Sequence, residues 1–129
     1  MVISVEKKTD KEKLYKRTVC EGGVMSNNAK FSIGQLVQHA MFGYRGVIFE
    51  LDPYFMLSDE WYLQVALSRP PKNEPWYNVL VDNSLHTTYV AQRNLMSSND
   101  LTEIQHPDIE LYFEGFEQGH YLLNKRHIQ

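Results

Sequence analysis

Few side chains in this 129-residue sequence are suited to covalent or metal chemistry, and those few are scattered. His39, His86, His106, His120 and His127 stand far apart, no His-Glu-x-x-His occurs, and no histidine stands at metal-ligand spacing from a cysteine. Cys20 is the one thiol. It has no partner for an internal disulfide, and as a nucleophile it would need a place in a folded site. No glycine-rich phosphate loop is present. His39 lies where a strand reads as ending, a place where an imidazole more often holds structure than acts as a base. No catalytic, metal-ligating or cofactor-binding residue is therefore assigned, and the chain reads as a non-enzyme.

What remains is the chemistry of recognition. Lys30, Tyr44, Arg45, Lys72 and Arg93 are the candidate contacts to DNA. Arg45 stands within the Gly43–Gly46 turn beside Tyr44, placed to meet a phosphate or a base edge. Trp76 and Tyr77 have the rings to stack on an unpaired base, although core aromatics are the simpler reading of both. Glu110 and Glu114 are the candidate contacts to a protein partner.

Charge divides these options. The formal net charge is −3, but residues 1–24 hold six Lys/Arg against four acids, so the remainder carries −5. Phosphate contacts supply most non-specific nucleic-acid affinity, so seven cations on an acidic remainder predict weak, salt-sensitive DNA binding. A protein partner fits this balance better, taken up at an exposed strand edge or in an aromatic groove. No apolar run approaches the roughly 18 residues of a membrane span. The first residues lack the apolar segment of a secretory signal, and their acids disfavour a transit peptide. A cytoplasmic location is expected, and self-association stays open.

The elements that must position these residues are mainly strands. With 43% hydrophobic residues, the chain can bury one core but hardly a second domain. Pro75–Val81 and Leu85–Ala91, rich in aromatic and β-branched residues, flank Asp82-Asn83-Ser84 and read as a central hairpin. Alternation puts Tyr77, Val79 and Val81 on one face and Trp76, Asn78 and Leu80 on the other. Leu36–His39 and Val47–Leu51 read as two earlier strands, with a bulge or a close backbone approach expected at Gly46.

A helix is predicted over Leu57–Leu67, capped by Ser58 and barred from continuing by Pro70-Pro71. Ala91–Leu95 tightens into a turn or closing strand. A short helix is expected from His106-Pro107-Asp108 to Gly115, after which Phe116, Tyr121, Leu122 and Leu123 should cover one mouth of a barrel. Residues 1–24 show no persuasive periodicity and read as a non-native or flexible leader. Glu21-Gly22-Gly23 has the purine-rich coding of a bacterial ribosome-binding sequence, so translation is expected to start at Met25; a genuine flexible tail is the alternative.

Three segments together resemble the HspQ family, also called YccV-like or hemimethylated-DNA-binding domains. The first runs from Lys30-Phe31-Ser32-Ile33-Gly34-Gln35 through Val37, His39 and Gly43-Tyr44-Arg45-Gly46-Val47-Ile48 to Asp52-Pro53. The second is Pro75–Val81 with Thr88-Tyr89-Val90-Ala91, and the third is His106-Pro107 with Tyr112-Phe113. The resemblance covers about residues 30–123, so residues 25–129 are read as its domain. It implies a small SH3-like β-barrel with one or two short helices, and no catalytic activity.

The resemblance also implies two kinds of partner. One is a Lon-type ATP-dependent protease, with which family members promote degradation of DnaA and of denatured or damaged proteins as part of the heat-shock response. The other is hemimethylated origin DNA. Many members carry Ala-Glu-Glu-Asn where this chain has Ala91-Gln92-Arg93-Asn94, a departure that alters any contact made there.

Overall fold

The computed structural model describes residues 29–124. The leader over residues 1–24, the expected start at Met25, and Cys20 and His127 lie outside the described residues. The fold is mainly β and antiparallel. Its strands are β1 (Leu36–His39), β2 (Arg45–Asp52), β3 (Trp76–Val81), β4 (Thr87–Ala91), β5 (Leu95–Ser97), β6 (Phe113–Glu117) and β7 (His120–Leu123). Two short helices, α1 (Asp59–Val65) and α2 (Ile109–Tyr112), and a 3-10 turn over Gln92–Asn94 complete it. Five strands form one sheet in the order β4-β3-β2-β1-β5, and β6 pairs with β7 in a separate hairpin. The large sheet leaves β4 and β5 as its outer strands.

β3 is central because every one of its six residues is buried. Tyr77 and Val79 join Val37, Ile48, Val90 and Leu95 in one cluster. Leu80, on the opposite face, packs with Leu36, Val47, Ile104, Phe113 and Tyr121. Trp76 anchors a third cluster with Phe55, Tyr89 and Ala91 beneath α1. The sheet is thus covered on both faces, as the apolar character of both sides of β3 predicts. The β3–β4 connection is longer than three turn-formers: Leu85 and His86 are exposed, and Thr87 opens β4.

Gly46 shows a close backbone approach and not the bulge. A Cβ there would lie 2.4 Å from Val79 Cγ1 and 2.5 Å from the Leu80 carbonyl, so even alanine forces a shift. The register slips instead between Ile48 and Glu50, which brings Phe49 against Tyr112 at a ring separation of 4.6 Å.

α1 begins where expected, with the Ser58 hydroxyl accepting from the Trp61 amide. The second helix is shorter than predicted. It ends at Tyr112, and Gly115 lies inside β6, where the register slips between Phe113 and Gly115. A β-bulge and a helix stop both favour glycine, so Gly115 reads equally well as either. Gln118 and Gly119, both at positive φ, form the two-residue turn of the β6–β7 hairpin. Tyr121 is buried, with Phe116 and Leu123 packed against the same cluster, whereas Leu122 turns outward.

Candidate nucleic-acid interface

The five candidate DNA contacts are distributed over three places. Lys30 and Arg93 come together, 63 positions apart in sequence, on the rim of one depression with Asn73, Glu74, Pro75 and Gln92. The meeting is built by Gln92, whose Oε1 accepts from the Lys30 amide at 2.8 Å and from the Tyr77 hydroxyl in a short hydrogen bond. Tyr77 Oη also accepts from the Phe31 amide at 3.3 Å. The chain entering β1 is therefore pinned to the 3-10 turn that carries Arg93. Both cations are exposed.

Arg45 faces elsewhere, and its guanidinium is engaged. Nη1 donates to the carbonyls of Asp100 at 2.7 Å and Thr102 at 3.1 Å, while Nη2 donates to Asp82 Oδ2 at 3.2 Å. Only 14% of the side chain is exposed. Asp82 holds the other end of this clamp, its Oδ1 accepting from the Gln105 amide at 2.7 Å. Arg45 thus ties β2 to the β3–β4 turn and to the 100–105 segment, and it is not the open turn cation that its Gly43–Gly46 setting predicts.

Tyr44 and Lys72 border an apolar cleft and the helix beside it. The Tyr44 hydroxyl bonds with Thr88 Oγ1 at 2.9 Å, and burial raises its pKa above the ordinary tyrosine value. Lys72 Nζ sits 2.8 Å from Asp59 Oδ1 and 4.5 Å from the centre of the Tyr62 ring. That pair is solvated, and its hydrogen bond to Lys72 lowers the Asp59 carboxyl. Trp76 and Tyr77 are buried core residues and have no face for a base.

Glu110 and Glu114 are brought together with Glu103 on a second depression, floored by Ile104, Phe113 and Phe116. Three carboxylates around aromatic and aliphatic groups suit a basic, amphipathic protein segment. His39 has a structural role: its Nδ1 accepts from the amides of Met41 and Phe42, each at 3.1 Å. The proton of the neutral ring is then on Nε2. Burial lowers the pKa of this imidazole. Among the described residues no group of three His, Cys, Asp or Glu is arranged to hold a metal ion. None of the described helices is long and apolar enough to cross a membrane.

Against known families, residues 29–120 match the one described as "Hemimethylated DNA-binding protein YccV like". The chain belongs to the YccV-like family. Its similarity extends to F-box only protein 21 of Homo sapiens, Pongo abelii and Mus musculus, each 38% identical over 96 residues. Those 96 residues are 73% of this chain and only 15% of each relative, so the YccV-like chain corresponds to a small part of those proteins.

Two features of this YccV-like domain were not singled out from sequence. Asp82 reads as a turn-former, and nothing local signals its bond to a segment some twenty positions on. The apolar cleft beside Tyr44 draws on the β1–β2 turn, the α1 exit and β4. Its one sequence signal is the pair Met41-Phe42, apolar residues at a glycine-bearing turn.

Proposed function

We propose that this chain is a non-enzymatic binding domain for duplex DNA methylated on one strand, and that the Lys30–Arg93 corner is its phosphate contact. The observation that carries the reading is the convergence of these two exposed cations, held in register by Gln92. Membership of a family described by hemimethylated-DNA binding supports it. Arg93, standing where many members have an acid, adds a cation at this corner. With two phosphates neutralised, affinity is modest and falls about tenfold between 50 and 200 mM salt. The domain is read as cytoplasmic and as an SH3-like barrel, in keeping with the resemblance of its motifs and the curl a five-stranded antiparallel sheet takes. The test is competition among three duplexes of one sequence, unmethylated, methylated on one strand and methylated on both. The singly methylated duplex should bind tightest; equal affinity for all three would remove methylation from the reading.

A second reading is favoured by the acidic depression of Glu103, Glu110 and Glu114. Here the chain acts in the heat-shock response, promoting degradation of denatured or DnaA-type clients with a Lon-type ATP-dependent protease. The depression would take a basic segment of the protease or the client. Client turnover should rise when the chain is added, and Glu110→Lys with Glu114→Lys should abolish that rise. Turnover indifferent to the chain would eliminate this reading.

A further inference from the structure

Phosphate contacts fix a protein's position on a duplex but carry no sequence information directly. The Lys30–Arg93 corner can therefore hold DNA, yet it offers nothing that tells a methylated base from a bare one. A methyl group is read by apolar contact. The apolar cleft beside Tyr44 adjoins that corner. Pro75 lines the cation depression and Trp76 the cleft, and Gln92 lines the first and Asn94 the second, with Arg93 between them. The Gln92 amide donates to the Pro75 carbonyl at 3.0 Å, so the two hollows share one hydrogen-bonded wall.

The cleft has the size and lining for one neutral planar ring. Its volume is about 150 Å³, that of an engineered apolar cavity that takes up benzene. Phe42, Tyr44 and Trp61 supply ring walls, and the buried Trp76 and Tyr89 close the floor. Met41, Phe42 and Leu67 are 57%, 54% and 76% exposed, so the rim is open and apolar. The lining contains no Lys, Arg, Asp or Glu, which suits an uncharged occupant whose phosphates stay outside it. A few polar groups are present to orient that occupant. The His39 ring carries its proton on Nε2, because Nδ1 accepts from two amides. In the Tyr44–Thr88 pair one hydroxyl donates to the other, and the accepting hydroxyl keeps its own proton to give. A base paired within the duplex shows only its edge in a groove and cannot reach such a floor; a base turned out of the stack can.

We propose that this cleft receives the methylated base itself, turned out of the duplex and stacked against Phe42 and Tyr44 while Lys30 and Arg93 hold the adjoining phosphates. The inference rests on the DNA reading and names the residues that sense the methyl group. The shared chemistry is a neutral base with a methyl on its major-groove edge, as both N6-methyladenine and C5-methylcytosine present.

The test uses the full chain and duplexes of one sequence, unmethylated or carrying one N6-methyladenine or one C5-methylcytosine. Each is prepared with its normal complement and with an abasic site opposite the target base. Losing the pairing partner removes much of the cost of turning the base out, so affinity for the methylated duplex should rise about tenfold or more. The unmethylated duplex should gain less, and whichever methylated base gains more is the one the cleft takes. Phe42→Ala should abolish the methyl-dependent gain and Phe42→Tyr should keep it; the position is half exposed, so both variants retain the wild-type circular dichroism. Both tryptophans of the chain line the cleft, so their fluorescence should change with the methylated duplexes and not with the bare one. No gain from the abasic site, equal gains with and without the methyl, or a gain that survives Phe42→Ala would each overturn the proposal. So would self-association of the chain that Phe42→Ala abolishes, which would make the occupant a second copy. Lys30→Ala with Arg93→Ala should weaken every duplex alike and preserve the gain. Preference for the methylated strand without any gain from the abasic site would end this inference and leave the DNA reading standing, whereas no binding to any duplex would end both.

Discussion

Arg45 and Arg93 carry the same charge on the same domain and stand in opposite surroundings. The Arg45 guanidinium is enclosed by Asp82 and by the carbonyls of Asp100 and Thr102, whereas Arg93 is exposed beside Lys30. The first is a structural clamp and the second a surface available to a ligand. Formal charge therefore overstates what the chain offers to phosphate. The contrast also assigns different consequences to removing each arginine, in stability for one and in binding for the other.

The largest effect is expected at the clamp. Arg45→Ala leaves the partly buried Asp82 carboxylate without its cation and releases the 100–103 carbonyls, a loss of about 2–4 kcal/mol in urea unfolding. DNA affinity per folded molecule should stay unchanged; a stable Arg45→Ala variant that no longer binds DNA would reverse the roles of the two arginines. Asp82→Asn keeps an acceptor for the Gln105 amide but loses the charge facing Arg45, and should cost about 1–2 kcal/mol. At the other region, Lys30→Ala with Arg93→Ala should change stability by no more than about 0.5 kcal/mol, since both side chains are exposed.

The smallest effect is a pH dependence. Burial holds the folded His39 imidazole below its usual value, so the unfolded chain binds the proton more readily. Its contribution to stability is full above the usual histidine value of about 6.5 and declines as pH falls toward the lowered folded value. Thermal melts from pH 7 to pH 5 should show this decline, and His39→Gln should flatten it. An unchanged pH profile in that variant would remove His39 as its source.

The central hairpin was legible in sequence because β3 alternates two apolar sets, and Tyr77 and Leu80 do face opposite clusters. The start of α1 was equally legible, since Ser58 caps it through a contact three residues away. The role of Arg45 was not, because its partners lie 37 to 58 positions away and no local pattern specifies them. The end of α2 was misread because the glycine that signals a helix stop also serves a bulged strand. Lys30 and Arg93 were each visible as cations, but their meeting depends on Gln92 bonding the entry to β1, a long-range event.

The central claim is that the Lys30–Arg93 corner supplies the phosphate contact. It is tested most directly by titrating a labelled duplex methylated on one strand with wild-type chain and with the Lys30→Ala, Arg93→Ala double variant, across 50 to 200 mM salt. Wild-type affinity should fall about tenfold over that range, and the double variant should bind more weakly at 50 mM with its salt slope reduced by about two. A double variant with wild-type affinity and wild-type salt slope would contradict the claim.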